Sequence, residues 1–168
     1  MQTAAGDVVW PENGHRYLLT PEIGSWHEAR DYATSVGGYL VSVTSQVEQN
    51  FIVSTFYQGQ GTGSLWIGLT DEVQEGTFVW ESGEAFNFYA WFGGEPKNAS
   101  ASPAGEDYVV IYDAIVLETG GLWNDYPSPF FNGNPIEFRG IVEIVPSPSA
   151  AALLMVGLAP VVLKRRRA

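Results

Sequence analysis

An α+β fold, with two early helices followed by short strands and long loops, is predicted by three features of this 168-residue chain. Two Ser-x-x-Glu capping boxes, Ser25 to Glu28 and Ser45 to Glu48, each open a stretch with helical apolar spacing. Beyond residue 63 the apolar runs become short and rich in β-branched and aromatic residues. Between them lie stretches 90–105 and 124–135, rich in glycine, proline and asparagine and long enough to carry function.

The elements follow in order. Arg16-Tyr17-Leu18-Leu19, after the turn signal Asn13-Gly14, reads as a strand. The first helix sets Trp26, Ala29, Ala33 and Val36 on one face and stops at Gly37-Gly38. Residues 40–43 read as a brief strand, and the second helix carries an apolar stripe of Val47, Phe51, Ile52 and Phe56. Strands are then expected at 65–69, 77–80, 108–112, 121–123 and 138–144. Trp66, Trp80 and Trp123 are expected in the core, with Trp91, Phe92, Phe130 and Phe131 anchoring loops.

Composition narrows the function. Through residue 163 the chain holds 19 acids against 4 bases, so a phosphate backbone would be repelled and nucleic-acid binding is not expected. Cysteine is absent, which removes disulfides, thiolate nucleophiles and cysteine-ligated metals. His15 and His27 are the only histidines and are read as surface residues; neither a Ser-His-Asp constellation nor a multi-histidine zinc site can be assembled. No nucleotide-binding or nucleophile-elbow motif is found, and no enzyme is expected.

Oxygen-bearing residues gather instead in the loop half: Asp71, Glu72, Glu75, Glu95, Asn98, Glu106, Asp107, Asn124 and Asp125. Loops supplying carboxylates, amides and carbonyls suit Ca2+, which takes about 6–8 oxygen ligands. Trp66-Ile67-Gly68-Leu69, Glu95-Pro96, Gly105-Glu106-Asp107, Trp123-Asn124-Asp125 and the closing Gly140-Ile141-Val142-Glu143 occur in the order found in the C-type lectin-like domain. The two capped helices precede them in the same order, and the resemblance covers residues 9–144.

That resemblance implies a C-type lectin-like fold with short antiparallel sheets, and a long loop region that binds Ca2+ and, through the ion, vicinal sugar hydroxyls. It implies a principal site of Glu95, Asn98, Glu106, Asn124 and Asp125, the same residues holding both metal and carbohydrate. An auxiliary Ca2+ site would use Asp71, Glu75 and Asp107, joined by Asn98 and Glu106. The family's Glu-Pro-Asn triplet reads Glu95-Pro96-Lys97-Asn98 here. An ammonium has no lone pair to offer a cation. Either the loop slips by one residue so that Asn98 ligates, or the charge of Lys97 stands in for the metal. The family's disulfide positions correspond to Ala33 with Val142 and Tyr108 with Ser128.

The C-terminus has a separate character. Residues 150–163 are uninterrupted Ala, Leu, Met, Val, Gly and Pro, followed by Lys164, Arg165, Arg166 and Arg167. This layout resembles the PEP-CTERM sorting signal of exopolysaccharide-producing bacteria, although the signature Val-Pro-Glu-Pro reads Val145-Pro146-Ser147-Pro148. The apolar run is short of the roughly 20 residues that span a bilayer. The resemblance implies a lectin-like domain over 7–145 and a sorting tail over 146–168, transient contact with the inner membrane, and processing by an exosortase-type enzyme. The expected product is an exported bacterial protein at the cell surface or outside the cell, binding exopolysaccharide or another glycan through Ca2+. The alternative is a protein-binding or matrix-scaffold module of the same fold. Residues 1–6 show neither a basic nor an apolar signal-peptide region.

Overall fold

The computed structural model describes residues 7–57, 63–98, 105–113, 121–131 and 133–146. Its elements are β1 (Val8–Val9), β2 (Arg16–Leu19), α1 (Trp26–Ser35), β3 (Tyr39–Leu40), α2 (Gln46–Phe56), β4 (Leu65–Thr70), β5 (Val79–Trp80), β6 (Tyr108–Ile111), β7 (Trp123–Tyr126), β8 (Phe130–Phe131), β9 (Asn134–Pro135) and β10 (Arg139–Ile144). The α+β prediction holds. Two helices pack against one eight-stranded sheet of order β1-β2-β10-β4-β6-β7, with β3 also on β10 and β5 also on β4; β8 and β9 form a separate hairpin. The sheet has two antiparallel leaves, joined where Arg139 and Gly140 of β10 pair in parallel with Leu65 and Trp66 of β4. The second leaf carries the oxygen-rich loops.

At α1 the capping box is complete: Ser25 Oγ accepts from the Glu28 N–H, and the Glu28 carboxylate accepts from the Ser25 N–H at 2.9 Å. At α2 only half of it forms. Ser45 caps the Glu48 N–H, but the Glu48 carboxylate turns inward to the N–H and hydroxyl of Thr44 and to Tyr17 Oη. The buried face of α2 is accordingly rotated from the expected stripe. Glu48, Gln49, Ile52 and Phe56 are buried, while Val47 is exposed. Tyr17 Oη also donates to Glu143, whose second oxygen takes the Ser42 N–H and whose first takes His15 Nδ1 at 2.6 Å. His15 is therefore a partner of a buried carboxylate and not a simple surface residue. Burial pushes the Glu143 carboxyl up, and the His15 contact partly reverses that.

Other boundaries moved. Asn124 and Asp125 lie inside β7, one step beyond the expected strand at 121–123, because β6 pairs with β7 as far as Tyr126. β1 and the β8–β9 hairpin are too short for a periodic signal and were not anticipated. The expected strand at 40–43 becomes Tyr39–Leu40; Val41 still donates its N–H to Ile141 O of β10, but its carbonyl turns to the Gly68 N–H of β4.

That contact explains a glycine. Gly68 donates its N–H to Val41 O, and a Cβ at Gly68 would lie 2.4 Å from Leu40 O. A backbone carbonyl cannot move aside as a flexible side chain can. Gly68→Ala is expected to cost at least the upper end of the about 1–3 kcal/mol typical of overpacking. Gly93→Ala, where a Cβ meets nothing within 4 Å, should be nearly neutral; urea unfolding midpoints of the two variants provide the check.

Candidate functional site

The site is assembled around Trp123. Its ring is fully buried, donates Nε1–H to Gln49 Oε1 at 2.9 Å, and packs edge-on against Trp80, Phe88 and Trp91. Its backbone takes the Phe92 N–H and donates to Ala90 O, both at 2.8 Å. β7 is thus clamped to α2 on one side and to the segment that delivers Glu95 on the other. Trp66 and Trp80 are buried as expected, while Trp91 packs on Phe78 and Phe92 on Tyr112. Phe130 is exposed.

Asp125 Oδ2 accepts from two consecutive N–H groups, those of Lys97 at 3.1 Å and Asn98 at 2.8 Å. Asn98 adopts a left-handed φ of 47°, a conformation that asparagine tolerates. Asn98 Oδ1 then accepts from the Glu106 N–H at 2.7 Å, tying the two banks of the loop together. Lys97 Nζ reaches Glu95 Oε1 at 2.5 Å, with the lysine half exposed and the glutamate side chain almost wholly buried. Asn124 Nδ2 donates to Asp125 O at 2.7 Å.

Asp71, Glu75, Lys97, Asn98 and Asp125 line one cavity of about 250 Å3, with Phe78 and Pro96. Residues expected in two ion sites therefore face a common space. Glu95 is connected to it through Lys97. Glu106 meets it through its backbone bond to Asn98, and Asp107 through its carbonyl, which takes the Asp71 N–H at 3.2 Å. The side chains of Glu106, Asp107 and Asn124 do not line this cavity. Among the described residues no three His, Cys, Asp or Glu side chains converge as a metal cluster. The convergent oxygens are a mixture of carboxylates and amides, the donor type that a hard cation accepts.

The buried oxygens carry a further signal. Six buried side-chain atoms lack a hydrogen-bond partner among the described residues, and four of them are Asp71 Oδ1, Glu95 Oε2, Asn124 Oδ1 and Asp125 Oδ1. Buried acceptors are satisfied in the great majority of folded proteins, because each orphan costs about 1–3 kcal/mol. These four unpartnered atoms are all acceptors and lie in one neighbourhood, an arrangement that a cation would satisfy. Burial pushes the Asp125 carboxyl up, and nearby Glu95 adds to the effect. Burial likewise pushes Asp71 up to about 6, with Glu75 and Asp107 adding repulsion, and raises Asp107. Gln49, which positions Trp123, was not singled out in the sequence, where it reads as a solvent-facing helix residue.

The lectin C-type domain family model matches residues 22–128, well over half of the chain. The chain belongs to the C-type lectin domain family. It is similar to Lectin BRA-3 of Megabalanus rosa, 35% identical over 126 residues that make up 73% of this chain and 71% of that protein. It is also similar to human C-type mannose receptor 2, 37% identical over 117 residues, which are 70% of this chain and only 7% of the receptor. The crystal structure of C-type lectin CEL-I from Cucumaria echinata superposes with a TM-score of 0.63 at 27% identity, covering 77% of this chain and 89% of that one. These relatives are animal proteins. The bacterial, exported reading rests on residues 146–168, of which 147–168 lie outside the described residues. Among the described residues no helix is long and apolar enough to cross a membrane.

The raised Asp71 carboxyl has a definite consequence for stability. Between its unfolded value of 3.8 and about 6, the folded chain binds a proton that the unfolded chain has released. In chelator, stability should therefore fall as pH rises through that window, and Asp71→Asn should flatten the fall. Thermal melts of both proteins from pH 4 to 7 test this; a wild-type melt that climbs while the variant stays flat would reverse the assignment.

Proposed function

We propose that this chain is a carbohydrate-binding C-type lectin domain whose sugar site is built on Ca2+. Asp125, Asn124 and Glu95 would hold the principal ion, with Asn98 and Glu106 completing the set; Asp71, Glu75 and Asp107 would hold an auxiliary one. The observation that carries this reading is the group of four unpartnered buried oxygens, all from these two sets and with no donor supplied to any of them. When bound, Ca2+ supplies positive charge and open coordination positions for vicinal hydroxyls. The chain's own part is to fix the acceptors. Asp125 is oriented by two backbone N–H groups, and Asn124 is oriented by its own amide bond to the Asp125 carbonyl. The same oxygens are placed to accept from sugar hydroxyls. The sequence match to a lectin over most of its length supports the carbohydrate. The C-terminal run supports export and exosortase-type processing, with exopolysaccharide or a surface glycan as target.

Lys97 is the feature that favours a calcium-free scaffold as a second reading. Its ammonium sits on Glu95, where it neutralises one of the four acceptor-bearing groups. It is exposed and on a flexible stem, so it competes with an ion without blocking it sterically.

A thermal melt of the chain titrated with Ca2+ after EDTA stripping separates the readings. The expected result is a saturable rise, about 2.7 kcal/mol of stabilisation at roughly 100-fold excess over Kd. Asp125→Asn should remove the part of the rise that comes from the principal ion, leaving any part from the auxiliary one, and Lys97→Asn should move the titration to lower Ca2+. No rise in the wild type or in Lys97→Asn would overturn the calcium site.

Retention on immobilised mannan or galactan should follow the same dependence. If Ca2+ stabilises the chain but neither polysaccharide retains it, the calcium-stabilised scaffold replaces the lectin.

A further inference from the structure

A larger cleft lies outside the acceptor cluster. It measures about 490 Å3 and runs between the outer face of α2 and the segment that carries Tyr89 and Trp91. This is within the range of about 300–1,000 Å3 typical of small-ligand clefts. Its lining is chemically distinct from the rest of the surface. In a chain of net charge −11, none of the described residues that line it is charged. One wall presents the side chains of Gln46, Asn50 and Ser54, one helical turn apart from each other. The opposite wall presents the ring of Tyr89, 67% exposed, beside the half-buried Trp91.

The floor is rigid. Gln49 is 4% exposed and uses both ends of its amide: Oε1 accepts from Trp123 Nε1, and Nε2 donates to Gly121 O. On the wall above it, Gln46 Nε2 donates to Asn50 Oδ1 at 2.9 Å. That bond aligns the two amides and leaves an acceptor on Gln46 and donors on Asn50 turned outward.

We infer that this groove is a second, metal-independent binding site for a neutral saccharide. A sugar ring offers an apolar C–H face to an exposed aromatic ring and a rim of hydroxyls that donate and accept; aligned amides serve both roles. A cationic ligand would find no carboxylate among the described lining residues, and a phosphorylated one would be repelled by the acidic body. The prepaid order of the floor lowers the entropic cost of binding. The site shares no residue with the proposed ion sites, so a glycan could engage the chain at two points.

The test is a 15N–1H titration of the chain in EDTA with short linear gluco-, manno- and galacto-oligosaccharides. The expected result is saturable shifts in the Gln46 and Asn50 side-chain amides with at least one of the three. Tyr89→Ala should weaken binding about tenfold, equivalent to about 1.4 kcal/mol; Tyr89→Phe should retain it and Asp125→Asn should leave it unchanged. Silence with all three oligosaccharides in EDTA overturns the inference. So does binding that survives Tyr89→Ala, or binding that is lost in Asp125→Asn. Because the titration is done in chelator, its failure leaves the calcium reading untouched, and a failed calcium titration leaves this one untouched.

Discussion

The loop half of this domain depends on one buried indole. Trp123 has no exposure, hydrogen-bonds α2 through Gln49, meets three aromatic rings at centroid distances of 5.7–5.8 Å, and fixes the 90–92 backbone on both sides of itself. Truncating such a ring typically costs about 3–5 kcal/mol. That is a large part of the about 5–15 kcal/mol by which domains are stable. The residues that follow it, Asn124 and Asp125, and the residue delivered by its clamped neighbour strand, Glu95, inherit their positions from it. An apolar packing event thus sets the geometry of a polar site.

What the packing cannot do is satisfy the acceptors it brings together. Asp125 receives two backbone donors and Asp71 receives one, from Gly76 at 2.8 Å, yet each keeps a second buried oxygen without a partner. Desolvation and mutual repulsion both push these carboxyls toward the protonated form. Protonation, water, a cation or a cationic side chain can each relieve such acceptors. Lys97 relieves Glu95, its ammonium bonding one carboxylate oxygen. The buried oxygens of Asp71, Asn124 and Asp125 receive no such contact among the described residues.

Much of this was readable in the chain. The capping boxes located both helices, and the motif order located the sheet and the acidic cluster, because each depends on residues close in sequence. The rotation of α2 was not readable. Val47 and Glu48 both fit a helix, and the distant Tyr17 and Trp123, with Thr44 just ahead of the cap, decide that Glu48 and Gln49 face inward. The position of Asn98 was undecidable for a similar reason. Its side chain is turned toward Glu106 by a left-handed backbone that nothing adjacent demands. Asn98 stays at the site, but one of its oxygen's lone pairs is committed to the Glu106 N–H. At the Lys97 step the lysine engages Glu95 and the asparagine spans the loop.

The missing cysteines complete the physical account. At the positions corresponding to one family bridge, Ala33 and Val142 are fully buried in the same small cluster with Leu18. At the other, Tyr108 lies against the Trp26 ring at 4.9 Å while Ser128 Oγ accepts the Trp26 N–H at 3.1 Å, so one tryptophan touches both residues. A disulfide is worth about 2–4 kcal/mol largely through the unfolded chain, which packing cannot restrain. Both substitutes pack on or beside α1, and the second also anchors the acidic segments, since Tyr108 directly follows Asp107 and Ser128 lies just beyond Asp125. Within those segments the ties are the hydrogen bonds that Asp125 accepts from Lys97 and Asn98 and that Asn98 accepts from Glu106. If the proposed ion binds there, its affinity and the local stability of the described residues around it would be linked.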